Sequence, residues 1–343
     1  MATIRSLIKF WALNAFALYG WLRLRAVHSP TLLILTYHRV LPTDSAERPF
    51  EQPGMIISPE NLEQHIKIIQ SIGAVPIHLD EWLSRKKAGK SLPTLAVAFT
   101  FDDGWRDNYL NAFPILKQQE VPATIFLVTK LVDTSETFWP EQVIRVLRTP
   151  GVDRNHPALE WLKPHLGELA HKPWPMTLLE ADQVINNLKD LDDATIQRHL
   201  ATSAKVLAEK ISGETDNTPA ILQSRDIAEM AENDLVRYGA HTRNHYRLNR
   251  LNDMAALEQQ ITGCVSDLRE ITANSTAIFC YPNGDITDKG KQLVADSYHA
   301  ACTTKAGWNT LTRSKYDLHR INLHDGNSSS PRTLLATIGR TLA

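Results

Sequence analysis

Five apolar runs that each close on polar residues constrain this chain more than any other feature. Residues 32–37 (LLILTY) lead into His38 and Arg39, 95–101 (LAVAFTF) into Asp102 and Asp103, and 235–240 (LVRYGA) into His241 and His245. Residues 277–281 (AIFCY) lead into Pro282, Asn283 and Gly284, and 318–323 (LHRINL) into His324, Asp325 and Gly326. Short apolar runs bounded by turn residues read as buried strands, and 124–128 (TIFLV) adds another. Helical patterns fill the intervals. Ser58 and Pro59 open one whose apolar face is Leu62, Ile66 and Ile69, with Gly73 closing it. Others follow at about 80–87, 106–119, 253–271, 288–296 and from 331 onward.

Strands alternating with helices imply parallel pairing through right-handed crossovers. Seven or eight such units suggest an α/β fold, a closed or nearly closed (β/α) barrel, with an open doubly wound sheet as the competitor. The polar stations favour the barrel. In a barrel the C-terminal ends of all strands converge on one face, where active sites sit.

The 343 residues suffice for one barrel-sized domain, taken here as 29–343, preceded by a distinct segment at 1–28. From 131 to 222 the alternation stops. Prolines at 140, 150, 157, 164, 173 and 175 interrupt helical pieces, and strand patterns are absent. This reads as a mostly helical insertion, either surface decoration or a lid that selects substrate. Residues 6–22 (SLIKFWALNAFALYGWL) are mostly apolar, with Arg5 and Lys9 on one side and Arg23 and Arg25 on the other. Seventeen residues are at the short limit for a bilayer span, and no small-residue cleavage site follows. The aromatics Phe10, Trp11, Phe16, Tyr19 and Trp21 with flanking cations suit a helix lying on a membrane surface. An uncleaved span and a core helix are the alternatives. The absent cleavage site favours the cytoplasm, peripheral to the inner membrane, and leaves export open.

Net charge is −1, from 37 basic and 38 acidic residues, so the basic bias of a nucleic-acid binder is missing. Cys264, Cys280 and Cys302 have no C-x-x-C spacing, which argues against a structural zinc module or a disulfide framework. A G-x-S-x-G elbow is also absent, so a serine hydrolase has no support.

Asp102 and Asp103 are adjacent at a strand end, and adjacent residues of an extended chain point opposite ways. One can serve a metal and the other a proton. His241 and His245 lie four apart and can converge, and two imidazoles with one carboxylate form a catalytic zinc set with an open position. A zinc-protease motif would need glutamate after the first histidine, and Thr242 stands there.

Together, TFDDG at 100–104, H-T-x-x-H at 241–245 and Y-P-x-G at 281–284 resemble the polysaccharide deacetylases related to the chitooligosaccharide, nodulation-type enzymes. Trp105 and the YHRV at 37–40 are similar to the branch linked to exopolysaccharide and lipid-linked sugar processing. The resemblance covers roughly 32–323 apart from the insertion. It implies a distorted barrel and a divalent metal, usually zinc, on Asp103, His241 and His245. It makes Asp102 the general base and a backbone N–H near Asn283 a stabiliser of the oxyanion. A late histidine in an L-H-D context protonates the leaving amine; His324 fits that text, with His319 and His38 as competitors. His38 otherwise lines the pocket, with Pro282 and Asn283, and Trp105 and Tyr281 offer flat faces to a sugar ring. The implied substrate is a glycan or lipid-linked sugar, and the implied reaction is removal of an N-acetyl group. Deformylation, O-deacetylation and a binder without turnover are the alternatives. One position departs from the pattern: Cys280 stands where many members carry an arginine against the base. A replacement cation must come from elsewhere, with Arg320 as the candidate.

Overall fold

The computed structural model describes residues 4–211, 219–251 and 253–341. Residues 1–3 of the N-terminal segment and 212–218 of the expected insertion lie outside them.

The barrel is built from β1 (Thr31–Tyr37), β2 (Leu95–Phe101), β3 (Ala123–Leu127), β4 (Val236–Ala240), β5 (Ser275–Cys280), β6 (Ala300–Cys302) and β7 (Ile321–Asn322). Each pairs in parallel with the next from β1 to β6. The sheet is strongly curled, and its far end returns to the start through short contacts. Cys302 bridges Leu318, and β7 pairs in parallel with β1. The last stave is thus two residues of strand and a bridge, which is why the barrel is distorted.

Period-two alternation decides what each stave presents. Leu32, Ile34, Ala96, Ala98, Phe126, Ile278 and Cys280 fill the interior, and Trp82 of a helix at Leu79–Lys87 joins that cluster. Leu33, Leu35, Tyr37, Val97, Phe99 and Phe101 belong to the larger cluster shared with the surrounding helices. Continuing the inward parity past the apolar part gives Thr36 and His38 on β1, Thr100 and Asp102 on β2, and Gly239 and His241 on β4. The β1–β2 register aligns Thr36 with Thr100, so His38 and Asp102 leave the barrel side by side.

The first helix, α1 (Ile4–Arg25), lies along α2 (Pro331–Arg340). Their backbones touch at two glycines. A Cβ on Gly20 would sit 2.1 Å from the Leu335 carbonyl oxygen, and one on Gly339 would sit 2.5 Å from Gly20 Cα. Arg23 donates to the Thr341 carbonyl and stacks 3.8 Å over Trp308. Among the described residues, no helix is long and apolar enough to cross a membrane.

Residues 139–211 form a second body. Helices at Trp139–Arg148, Leu178–Leu188 and Asp193–Ile211, with 3-10 turns at Pro157–His165 and Gly167–His171, enclose their own apolar cluster. Val143, Ile144, Leu147, Val184, Ile185 and Leu188 are fully buried in it. Each such side chain contributes about 1.5–3 kcal/mol by burial, and Phe50 from the barrel side packs against the same cluster. The segment rejoins the barrel at 220–222, where Arg106 donates to the Ala220 carbonyl and the Leu222 N–H to that of Gly104.

Candidate active site

The polar strand ends meet in one cavity of about 290 Å³, lined among others by His38, Asp102, Asp103, His241, His245 and Arg320. Tyr281 and Asn283 line it from the β5 end. Asp102 continues the inward parity of β2, and its N–H is bonded to the Tyr37 carbonyl. The chain then turns through a left-handed pair, Asp103 (φ 74°) and Gly104 (φ 75°), where a Cβ on Gly104 would come within 2.9 Å of Leu127. That turn sends the two carboxylates different ways.

Asp103 Oδ1 lies 3.3 Å from both His241 Nε2 and His245 Nε2. Bonds of about 2.0–2.1 Å at tetrahedral angles set ligand atoms about 3.3–3.4 Å apart, so both of these distances suit a zinc-sized site, and all three ligand atoms lie within 4.8 Å of one another. The outer contacts fit as well. His241 Nδ1 is 2.8 Å from the Cys280 carbonyl, which leaves Nε2 for the site, and the Trp105 indole N–H donates to Asp103 Oδ2 at 3.1 Å. Burial alone would raise the Asp103 carboxyl, but hydrogen bonds from His241 and His245 outweigh it and hold the group well below the usual range. Asp102, His241 and Cys280 also cluster. They make a poorer ligand set, because Arg320 engages both Asp102 oxygens and burial pushes the Cys280 thiol well above its ordinary value.

Arg320 donates to Asp102 Oδ1 at 2.7 Å and Oδ2 at 2.8 Å, and to the Thr303 carbonyl at 2.9 Å. This buried fork is the cation whose place Cys280 occupies in sequence. Cys280 instead sets its thiol 3.6 Å from Asp102 Oδ2. Burial raises the Asp102 carboxyl, and Arg320 and His241 overcome that, leaving it below the ordinary value. His38 Nε2 approaches Asp102 Oδ2 at 3.8 Å; burial lowers the imidazole despite the neighbouring carboxylates.

Three expectations are corrected. His324 is not among the residues lining the cavity. It caps the short helix Asp325–Ser328, its Nδ1 accepting from the Gly326 N–H at 3.1 Å, because the chain folds back immediately after β7. Trp105 offers no face to a sugar: it is 1% exposed, with the Arg39 guanidinium 4.1 Å over its ring and Phe138 against its edge. Tyr281 reaches the cavity wall but is fully buried, edge-on to Phe279, so it is wall and not a stacking platform. Pro282 is buried under the turn that holds Asn283 (φ 53°) at the cavity. Thr242 (φ 64°) and His245 (φ 59°) are also left-handed, so four residues without the freedom of glycine hold strained backbone around one site.

The site also contains residues that sequence reading missed. Phe138, Trp139, Pro140, Glu141 and Lys189 line the cavity from the insertion side. Trp139 donates to Asp193, and Asp193 also receives the Arg247 N–H and guanidinium. Arg247 further donates to the Lys189 and Leu191 carbonyls, each at 2.6 Å. These partners lie about 50 residues or more from Arg247 in sequence, so nothing local signals them.

Residues 89–300, more than half of the chain, match the family described as Polysaccharide deacetylase. The chain belongs to the polysaccharide deacetylase family. Among its relatives is the poly-beta-1,6-N-acetyl-D-glucosamine N-deacetylase of Staphylococcus aureus, 36% identical over 106 residues, or 28% of this chain and 36% of that protein. The match therefore spans about a third of that relative's length. Two solved structures share the fold of this family member. The Streptococcus pyogenes deacetylase PplD in complex with acetate superposes with a TM-score of 0.58 at 18% identity, covering 90% of this chain and 99% of that one. IcaB from Ammonifex degensii superposes with a TM-score of 0.55 at 16% identity, covering 90% and 98%. The family and barrel expected from TFDDG, HTxxH and YPxG, and the exopolysaccharide-related branch expected from Trp105 and YHRV, are those the comparisons return.

Proposed function

We propose that this chain is a metal-dependent hydrolase removing an N-acetyl group from an amino sugar of a polysaccharide or lipid-linked saccharide. The observation that carries the reading is the division at the end of β2. Asp103 joins His241 and His245, while Asp102 stays outside that set in the grip of Arg320. A binder without turnover has no use for a second carboxylate held this way. The S. aureus relative's name points to a β-1,6-linked N-acetylglucosamine polymer as the first substrate to try.

A divalent metal on Asp103, His241 and His245, zinc from its imidazole and carboxylate donors, would act as a Lewis acid toward water and the acyl carbonyl. Arg320 keeps Asp102 ionised and fixes both of its oxygens, so the carboxylate takes the proton of the attacking water. Asp102 Oδ2 faces His38 Nε2. His38, and not His324, is thus placed to carry that proton to the leaving amine. Burial pulls the His38 imidazole below its ordinary value, which favours the neutral ring that takes up a proton before donating it. The Asn283 turn closes the opposite wall, with its backbone N–H as the donor to the developing oxyanion.

The test is mass spectrometry of acetyl loss from N-acetylglucosamine oligomers and related formylated or O-acetylated sugars, with and without a chelator, alongside metal analysis. Release of acetate that the chelator stops, and a His241→Ala variant without metal, are the expected results. Turnover indifferent to chelation, with full metal content in His241→Ala, would overturn the assignment.

A further inference from the structure

The helix α1 is held from one side only. Ala17, Gly20 and Leu24 are buried. The opposite side carries Leu7 (50% exposed), Trp11 (67%), Leu18 (59%) and Leu22 (51%), spaced to form one stripe, with Ile8 (64%) and Tyr19 (53%) beside it. Away from this helix, the exposed large apolar residues of the described chain are Val75, Leu110, Leu179, Met254 and Leu311, which lie far apart in sequence. A contiguous apolar stripe is therefore a property of α1 and not of the surface in general.

Its border is basic. The sequence has no Asp or Glu in residues 1–43 and none after Asp325. Lys9 and Arg25 on α1 and Arg332 and Arg340 on α2 are all exposed. Arg332 lies 5.2 Å from the Phe10 ring centre, Arg340 4.8 Å from that of Phe16 and Arg25 4.9 Å from that of Trp21. The cations of both helices thus rim aromatic residues, an arrangement that suits the headgroup level of a bilayer. A second copy of the chain would bring the same cations against each other, whereas an anionic lipid surface complements stripe and rim together. The glycine contact between α1 and α2 fixes this face rigidly to the barrel domain.

We propose that α1, carried on α2, seats the protein on an anionic membrane surface with the helix lying in the headgroup plane. This is independent of the chemistry assigned to the barrel site. The test uses the full chain and vesicles of phosphatidylcholine alone or with one quarter phosphatidylglycerol. Co-sedimentation with the anionic vesicles and a blue shift of tryptophan emission are expected, with weak pelleting on phosphatidylcholine. The variant Lys9→Gln/Arg25→Gln/Arg332→Gln/Arg340→Gln should lose affinity by roughly fivefold for each cation that reaches the surface. Leu7→Glu/Trp11→Glu/Leu18→Glu should abolish binding while keeping the far-ultraviolet circular dichroism and acetate release from soluble substrate. Should that variant fail to fold, the glutamine variant decides by itself. Full chain left in the supernatant with anionic vesicles would overturn the proposal. So would pelleting unaffected by the substitutions, or a dimer in sedimentation equilibrium that the stripe substitutions dissociate.

Discussion

The barrel and the helical body at 139–211 are packed by the same rule and joined by the opposite one. Each has its own apolar cluster, and the clusters do not merge. The seam between them is largely polar. Arg247 meets Asp193, Arg145 meets Glu47, and Gln52 donates to Asp182 at 2.8 Å. At the cavity, the barrel-side carboxyl Glu51 meets Glu141 of the helical body, and Glu51 is held in turn by Arg39 at 3.2 Å. The staves supply the proposed chemistry, and the helical body supplies one wall. The lesson is that the polar strand ends and one wall of their cavity sit on differently packed units, coupled largely through charged contacts.

The largest effect expected is on the barrel side. Asp102→Asn should keep the metal and lose acetate release by roughly 10²–10⁴-fold, as removal of a general base does. Metal content and turnover measured on one preparation separate the two functions. Unchanged turnover would take Asp102 out of the mechanism and leave the comparison without its catalytic half.

Next comes the seam. Asp193→Ala leaves the buried Arg247 guanidinium without its carboxylate, at a cost of about 3–5 kcal/mol. If the two bodies are as separable as their cores, limited proteolysis of this variant should cut first within 139–211 while the metal content holds. A single melting step with protease resistance equal to that of the parent would show one cooperative unit instead.

The smallest effect concerns the Glu51–Glu141 contact. Burial first, and then the adjacent Glu51, push the Glu141 carboxyl well above the ordinary glutamate value. A carboxyl whose folded pKa is raised contributes its stability below the unfolded pKa and loses it as pH rises through the folded one. Glu141→Gln cannot ionise and escapes that loss. Melting temperatures at pH 5 and pH 8 should therefore show the variant gaining on the parent by roughly 2 °C at the higher pH. A relative gain at pH 5 would mean that Glu141 keeps its charge across the seam.

Much of the site was legible because it is periodic. The alternation of strands and helices puts His38, Asp102 and His241 at strand ends on one face without knowledge of any partner, although strands buried on both faces leave the inward parity open. The cation for Asp102 was less legible. Arg320 precedes a strand of two residues, too short to carry a pattern, and its fork closes across 218 residues of sequence. The roles of Trp105 and His324 were misread for a related reason. Sequence gave their types and positions, but burial beneath Arg39 and a helix cap after β7 decided where their polar atoms go.

The sequence by itself determined the alternation, the order of the polar strand ends and the separation of the Asp102 and Asp103 directions, because these follow from backbone periodicity and local turns. Only the tertiary structure decided which groups complete them. Arg320 on Asp102, Arg39 over Trp105, His38 beside Asp102 and the wall built by the helical body are contacts between segments that no local rule links. They exist because barrel closure brings the ends of its staves within a few ångströms of one another.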